Sequence, residues 1–127
     1  MANATLIVLL ALIQYVLFTM KVGMARAKYK VDAPCCGGDE NFERLFRIQQ
    51  NTLEQLIVFI PAIFAFAFYL SPIWVLAPGI AFLLGRFLYS AEYTKDPKTR
   101  GPGMGLTLVA NVVLIIGALT GLLIRMF

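Results

Sequence analysis

No charged residue stands between Met1 and Met20, between Gln55 and Gly85, or between Gly101 and Ile124. Runs of this length leave no polar face for water, so the solvent for most of the chain must be a lipid bilayer. Composition agrees: 60% of the 127 residues are hydrophobic and only 14% are charged, too few to coat a water-soluble globule of this size.

Crossing the hydrocarbon core takes roughly 20 apolar residues at about 1.5 Å rise each. The run from Gln55 to Gly85 is too long for one crossing and is cut at Leu70-Ser71-Pro72, with Tyr69 and Trp74 placed as interfacial aromatics. The pattern predicts an all-α membrane protein, a four-transmembrane-helix bundle forming one domain over residues 1–127. Its helices are expected at about 4–26, 42–70, 73–93 and 103–125, the last following the breaker Gly101-Pro102-Gly103. Residues 1–20 lack a basic leader and a small-residue cleavage pattern, so they are read as a span rather than a signal peptide.

Basic residues fall in two clusters, Lys21 to Arg47 and Arg86 to Arg100, with Arg125 alone at the other side. The positive-inside rule then predicts a multi-pass protein with both charged loops cytoplasmic and both termini on the opposite side. That distribution accounts for the net charge of +4 through topology and phospholipid contact, and gives no reason to invoke nucleic acid. Cys35 and Cys36 read as free thiols in a turn; with no histidine and no third cysteine, no metal site is expected.

The second helix opens with ENFERLFRIQQNTLEQ, in which Arg44, Arg47, Asn51 and Glu54 share one face. Glu54 lies about 24 Å from Leu70 along the helix, inside a core about 30 Å thick, and a carboxylate at that depth must face protein and find a donor. A second stripe on the third helix holds Arg86, Tyr89 and Tyr93, and the loop behind it ends in Arg100. Arg86 lies about 20 Å beyond Ile73, so it is expected to need an acid, with Glu54 nearest by depth. Three readings compete for these stripes: a structural polar seam, a pocket for a small anionic peptide-like ligand, and a proton-coupled transport path. A small multidrug transporter would place a carboxylate in helix 1, where this chain has Gln14, so transport ranks lowest.

The segments FERLFRIQQNTLEQLIVFIP and RFLYSAEYTKDPKTRGPGMG resemble the membrane-associated proteins in eicosanoid and glutathione metabolism, the MAPEG family of microsomal glutathione transferases, leukotriene C synthase and the lipoxygenase-activating protein. The resemblance covers nearly the whole chain. It implies a homotrimer with active sites between subunits near the cytoplasmic side, and glutathione as co-substrate. It further implies that Arg26, Arg47, Gln49, Asn51, Glu54, Tyr89 and Tyr93 hold glutathione, while Arg100 stabilises its thiolate. The second substrate would be a hydrophobic small molecule delivered by the bilayer: an electrophile for conjugation, as in detoxification, or a lipid hydroperoxide for reduction. Ala27 stands where the leukotriene-forming branch has a second arginine, which argues against leukotriene synthesis. Gln55 replaces a tyrosine after the helix 2 glutamate, removing one aromatic contact. A non-catalytic binding member also exists in the family; the joint presence of Arg47, Asn51, Glu54, Tyr89, Tyr93 and Arg100 favours the enzyme.

Gln14 and Asn111 are expected to hydrogen-bond neighbouring helices, Gly117 and Gly121 to permit close packing, and Pro61 and Pro78 to bend their helices. Lys95, Asp96 and Lys98 read as a solvated turn after the third helix, which Pro97 ends.

Overall fold

The computed structural model describes residues 1–127 as four antiparallel helices without strands: α1 (Ala2–Tyr29), α2 (Glu40–Tyr69), α3 (Leu76–Lys95) and α4 (Gly101–Met126), with a 3₁₀ turn at Pro97–Thr99. Three segments are long and apolar enough to cross a membrane: Ala2–Tyr29, Glu40–Tyr69 and Pro97–Met126. The third helix, expected as a fourth span, is the shortest and carries Arg86, Glu92 and Lys95. It also begins at Leu76 rather than Ile73, because the Ser71 hydroxyl accepts hydrogen bonds from the Ile73 and Trp74 amides and holds Pro72–Val75 as a turn.

Local chemistry sets the helix ends. The Asp39 side chain accepts from the Phe42 amide and starts α2. Lys30 takes the left-handed conformation that ends α1, and the Val31 amide donates to the Arg26 carbonyl. Pro61 sits inside α2, but Pro78, expected to bend its helix, lies in the first turn of α3, where a missing N–H costs nothing.

The exterior is what departs from a water-soluble bundle. Asn51, Thr52, Arg86, Thr107 and Asn111 are buried, while Ile57, Trp74, Phe87 and Ile124 are among many large apolar side chains left outside. That is the arrangement lipid selects, since polar groups must find partners inside the protein. Gln14 Nε2 donates to the Leu83 carbonyl at 3.2 Å and Asn111 Nδ2 to Gln55 Oε1 at 3.0 Å, joining α1 to α3 and α4 to α2 as expected.

The core is filled by stacked Phe59 and Phe82, with ring centroids 3.8 Å apart, among small residues such as Ala4, Ala11, Ala62 and Ala110. Gly117 and Gly121 face Phe66, Tyr69 and Leu70, so they serve packing of α4 on α2 within the chain. A second close approach joins α3 to α4, where Gly103 lies directly on the Tyr89 backbone and Gly85 on Thr107. This crossing, not apparent from the glycine spacing in α4 alone, is what fixes the candidate site.

Candidate functional site

Where α3 and α4 meet the basic end of α2, a pocket of about 260 Å³ is lined by Arg47, Asn51, Tyr89, Tyr93, Arg100 and Met104. Three helices and a turn contribute. Arg47 and Asn51 come from one face of α2, and Tyr89 and Tyr93 stack on each other along α3 with centroids 5.4 Å apart. Arg100 stands at the start of α4, where its Nη1 donates to the Pro97 carbonyl at 3.1 Å. The turn that carries it is tied down: Asp96 accepts from the Lys98 amide, Thr99 Oγ1 donates to the Glu92 and Asp96 carbonyls, and the Glu92 carboxylate accepts from the Gly103 amide.

The wall contains two guanidinium groups and no carboxylate. A third guanidinium lies just behind it. Arg86 is completely buried, and its nearest partners are all neutral: Nη1 donates to Asn51 Oδ1 at 2.6 Å and Thr52 Oγ1 at 3.4 Å, and Nε donates to Thr107 Oγ1 at 3.1 Å. Its Nη2 reaches the Met104 sulfur, and its charge sits 4.5 Å from the Tyr89 ring centroid. The expectation that Arg86 pairs with Glu54 is therefore corrected. Neutral oxygens and an aromatic face solvate the cation, leaving its charge uncancelled beside the pocket.

Glu54 instead faces Arg47, at 3.5 Å, with both side chains about half exposed (53% and 52%). Arg44, expected on the same ladder, turns away to Glu40 and donates to the Thr94 and Lys95 carbonyls at the end of α3. Of the eight residues the sequence singled out, Arg47, Asn51, Tyr89, Tyr93 and Arg100 line the pocket, and Glu54 joins it only through Arg47. Gln49 and Arg26 lie elsewhere. Gln49 Nε2 donates to Thr19 Oγ1 at 3.1 Å on α1, and Arg26 donates to the Cys35 carbonyl at 2.8 Å while covering the Phe42 ring.

Sequence reasoning missed Met104 and the Thr52–Thr107 oxygen pair. The signal was present: Met104, Thr107 and Asn111 follow one another at helical spacing on α4, facing the α2 stripe. Chemically, a small cavity with convergent guanidinium and phenol donors and no acid is built for an anion. Its volume lies just below the range of about 300–1,000 Å³ common for ligand sites.

A sequence profile of the MAPEG family matches residues 4–120. An uncharacterised protein of Synechocystis sp. is 42% identical over 118 residues, 93% of this chain and 86% of that protein. Human microsomal glutathione S-transferase 2 is 36% identical over 103 residues, 80% of this chain and 70% of its own length. Rat leukotriene C4 synthase is 25% identical over 119 residues, covering 94% and 79% respectively.

Proposed function

This chain belongs to the MAPEG family, and from that premise we propose that it is a membrane-bound glutathione transferase acting on hydrophobic electrophiles. The observation that carries the reading is the acid-free pocket in which Arg47, Asn51, Tyr89, Tyr93 and Arg100 converge. Glutathione carries two carboxylates, one ammonium and two amides; the carboxylates and amides meet complements on this wall, and the ammonium meets Glu54 beside it. Arginines hold carboxylates through charge-assisted hydrogen bonds, Asn51 serves an amide, and the tyrosine hydroxyls donate to the peptide or the sulfur.

The loose Arg47–Glu54 pair is already the mirror image of the ligand's amino-acid end. Bound glutathione would exchange it for two pairs, ligand carboxylate on Arg47 and ligand ammonium on Glu54, with no net loss of ion pairing. Arg26 and Gln49 lie outside the pocket of one chain, and that chain's pocket is small; both fit a homotrimer in which a neighbouring subunit completes each site. The four helices then all span the bilayer, with both charged loops cytoplasmic.

Arg100, with Arg86 behind the wall, favours the charged form of the thiol and lowers its pKa, so the S–H proton leaves to water at the polar mouth. The thiolate attacks an electrophilic carbon delivered from lipid, a C–S bond forms, and the leaving group departs with its electron pair. With a lipid hydroperoxide the sulfur takes the terminal oxygen as the O–O bond breaks. The lipid alkoxide takes a proton from water at the polar mouth and leaves as the alcohol, and a second glutathione converts the sulfenic acid to disulfide and water.

Calorimetric titration of the purified protein with glutathione tests the binding part. Wild type is expected to bind with micromolar to millimolar affinity, and Arg47→Ala about tenfold or more weakly, because a charge-assisted pair is worth roughly 1.5–3 kcal/mol. Undiminished binding by Arg47→Ala would remove the pocket from the account.

A further inference from the structure

A second site lies on the other side of the bundle, along α1. An open apolar groove of about 420 Å³ runs between α1 and α3, lined by Leu10, Ile13, Leu17, Met20, Met24 and Phe87, with the Gln14 side chain, bonded to α3, in its wall. From Leu10 to Lys21 it extends about 16 Å at helical rise, close to half of a hydrocarbon core about 30 Å thick. It is one leaflet deep. At its upper end it runs into a second, more polar hollow of about 190 Å³ that shares Lys21 and Met24 and adds Lys28 and Tyr29.

Lys21 and Lys28 stand two helical turns apart on one face, about 10 Å along the axis, so two ammonium groups can close on one phosphate held between them. No acidic side chain lines either hollow; Lys28 is met only by the Tyr29 ring, 5.3 Å from its centroid. We infer that this face is a specific site for an anionic phospholipid, whose acyl chain lies in the α1–α3 groove while its phosphate is held by Lys21 and Lys28. The charges supply the argument for the occupant: an apolar groove alone fits any lipid, but paired lysines at its mouth select a headgroup with net negative charge. The site is separate from the glutathione pocket and independent of that reading.

Native mass spectrometry of the full-length protein in mild detergent tests it, titrating phosphatidylglycerol and phosphatidylcholine with the same acyl chains. Wild type is expected to hold phosphatidylglycerol about thirtyfold more tightly, and the double variant Lys21→Gln, Lys28→Gln to bring the two lipids to near parity. Ile13→Trp, or Leu10→Trp from the deep end, fills the groove with the lysines intact and should weaken phosphatidylglycerol about tenfold. Glycerol phosphate should not displace the lipid. Equal affinity of wild type for both lipids, an undiminished preference in the double lysine variant, indifference to both tryptophan variants, or displacement by glycerol phosphate would each overturn the proposal.

Discussion

Gly103→Ala is expected to cost the protein about 2–3 kcal/mol, lowering its thermal midpoint by roughly 10 °C, and to abolish glutathione binding at millimolar concentration. A Cβ at this position would run into the Tyr89 backbone nitrogen and Cα, and would also lie 3.0 Å from the Gly85 carbonyl oxygen. These are backbone atoms of an adjacent helix, so no side chain can swing aside to make room. Relief requires α3 to move off α4, and that displaces Tyr89 and Tyr93 from Arg100. Gly105 provides the control two residues along the same helix. Nothing lies within 4 Å of a Cβ added there, and Gly105→Ala should leave binding intact and stability equal or slightly higher. Equal behaviour of the two variants in a fluorescence melt and a binding titration would show that the α3–α4 contact does not hold the site together.

Arg86→Met separates stability from binding. A buried guanidinium with no anion beside it is costly, so its removal should leave the thermal midpoint unchanged or raise it. The groups left behind are mostly satisfied: Thr52 Oγ1 donates to the Ile48 carbonyl at 2.8 Å and Thr107 Oγ1 to the Gly103 carbonyl at 2.9 Å. Only Asn51 Oδ1 loses its partner, and Asn51 lines the pocket, where water can reach it. Binding responds in the opposite direction. A charge roughly 8 Å from an anionic group contributes about 2 kcal/mol at an effective dielectric of about 20, so glutathione affinity should fall about thirtyfold. A large drop in midpoint with unchanged affinity would make Arg86 a packing element and nothing more.

These two expectations mark where the sequence was readable and where it was not. The charge-free runs set the helical class, and the offsets of Arg47, Asn51, Tyr89 and Tyr93 identified residues that do meet in space, because side chains three and four apart must share a face. Spacing within one helix cannot say which neighbour that face meets. Arg86 was therefore matched to the only intramembrane acid, whereas three neutral oxygens from α2 and α4 solvate it. A buried charge does not need an opposite charge where enough well-placed dipoles surround it. Gln49 and Arg26 show the same limit: spacing gives each a helix face, but the partners that face meets, the Thr19 hydroxyl and the Cys35 carbonyl, are not legible from it. The start of α3 was misplaced because the Ser71 hydroxyl competes for backbone amides that the apolar run alone would have assigned to a helix.

Ionisation of a thiol in this pocket is read directly by ultraviolet absorbance of the glutathione thiolate near neutral pH. Wild-type protein titrated with glutathione should develop a saturable thiolate band. Arg100→Ala should lose the band while still binding the peptide through Arg47, Asn51 and the tyrosines. Binding without any thiolate signal in the wild type, or an undiminished signal in Arg100→Ala, would contradict the account.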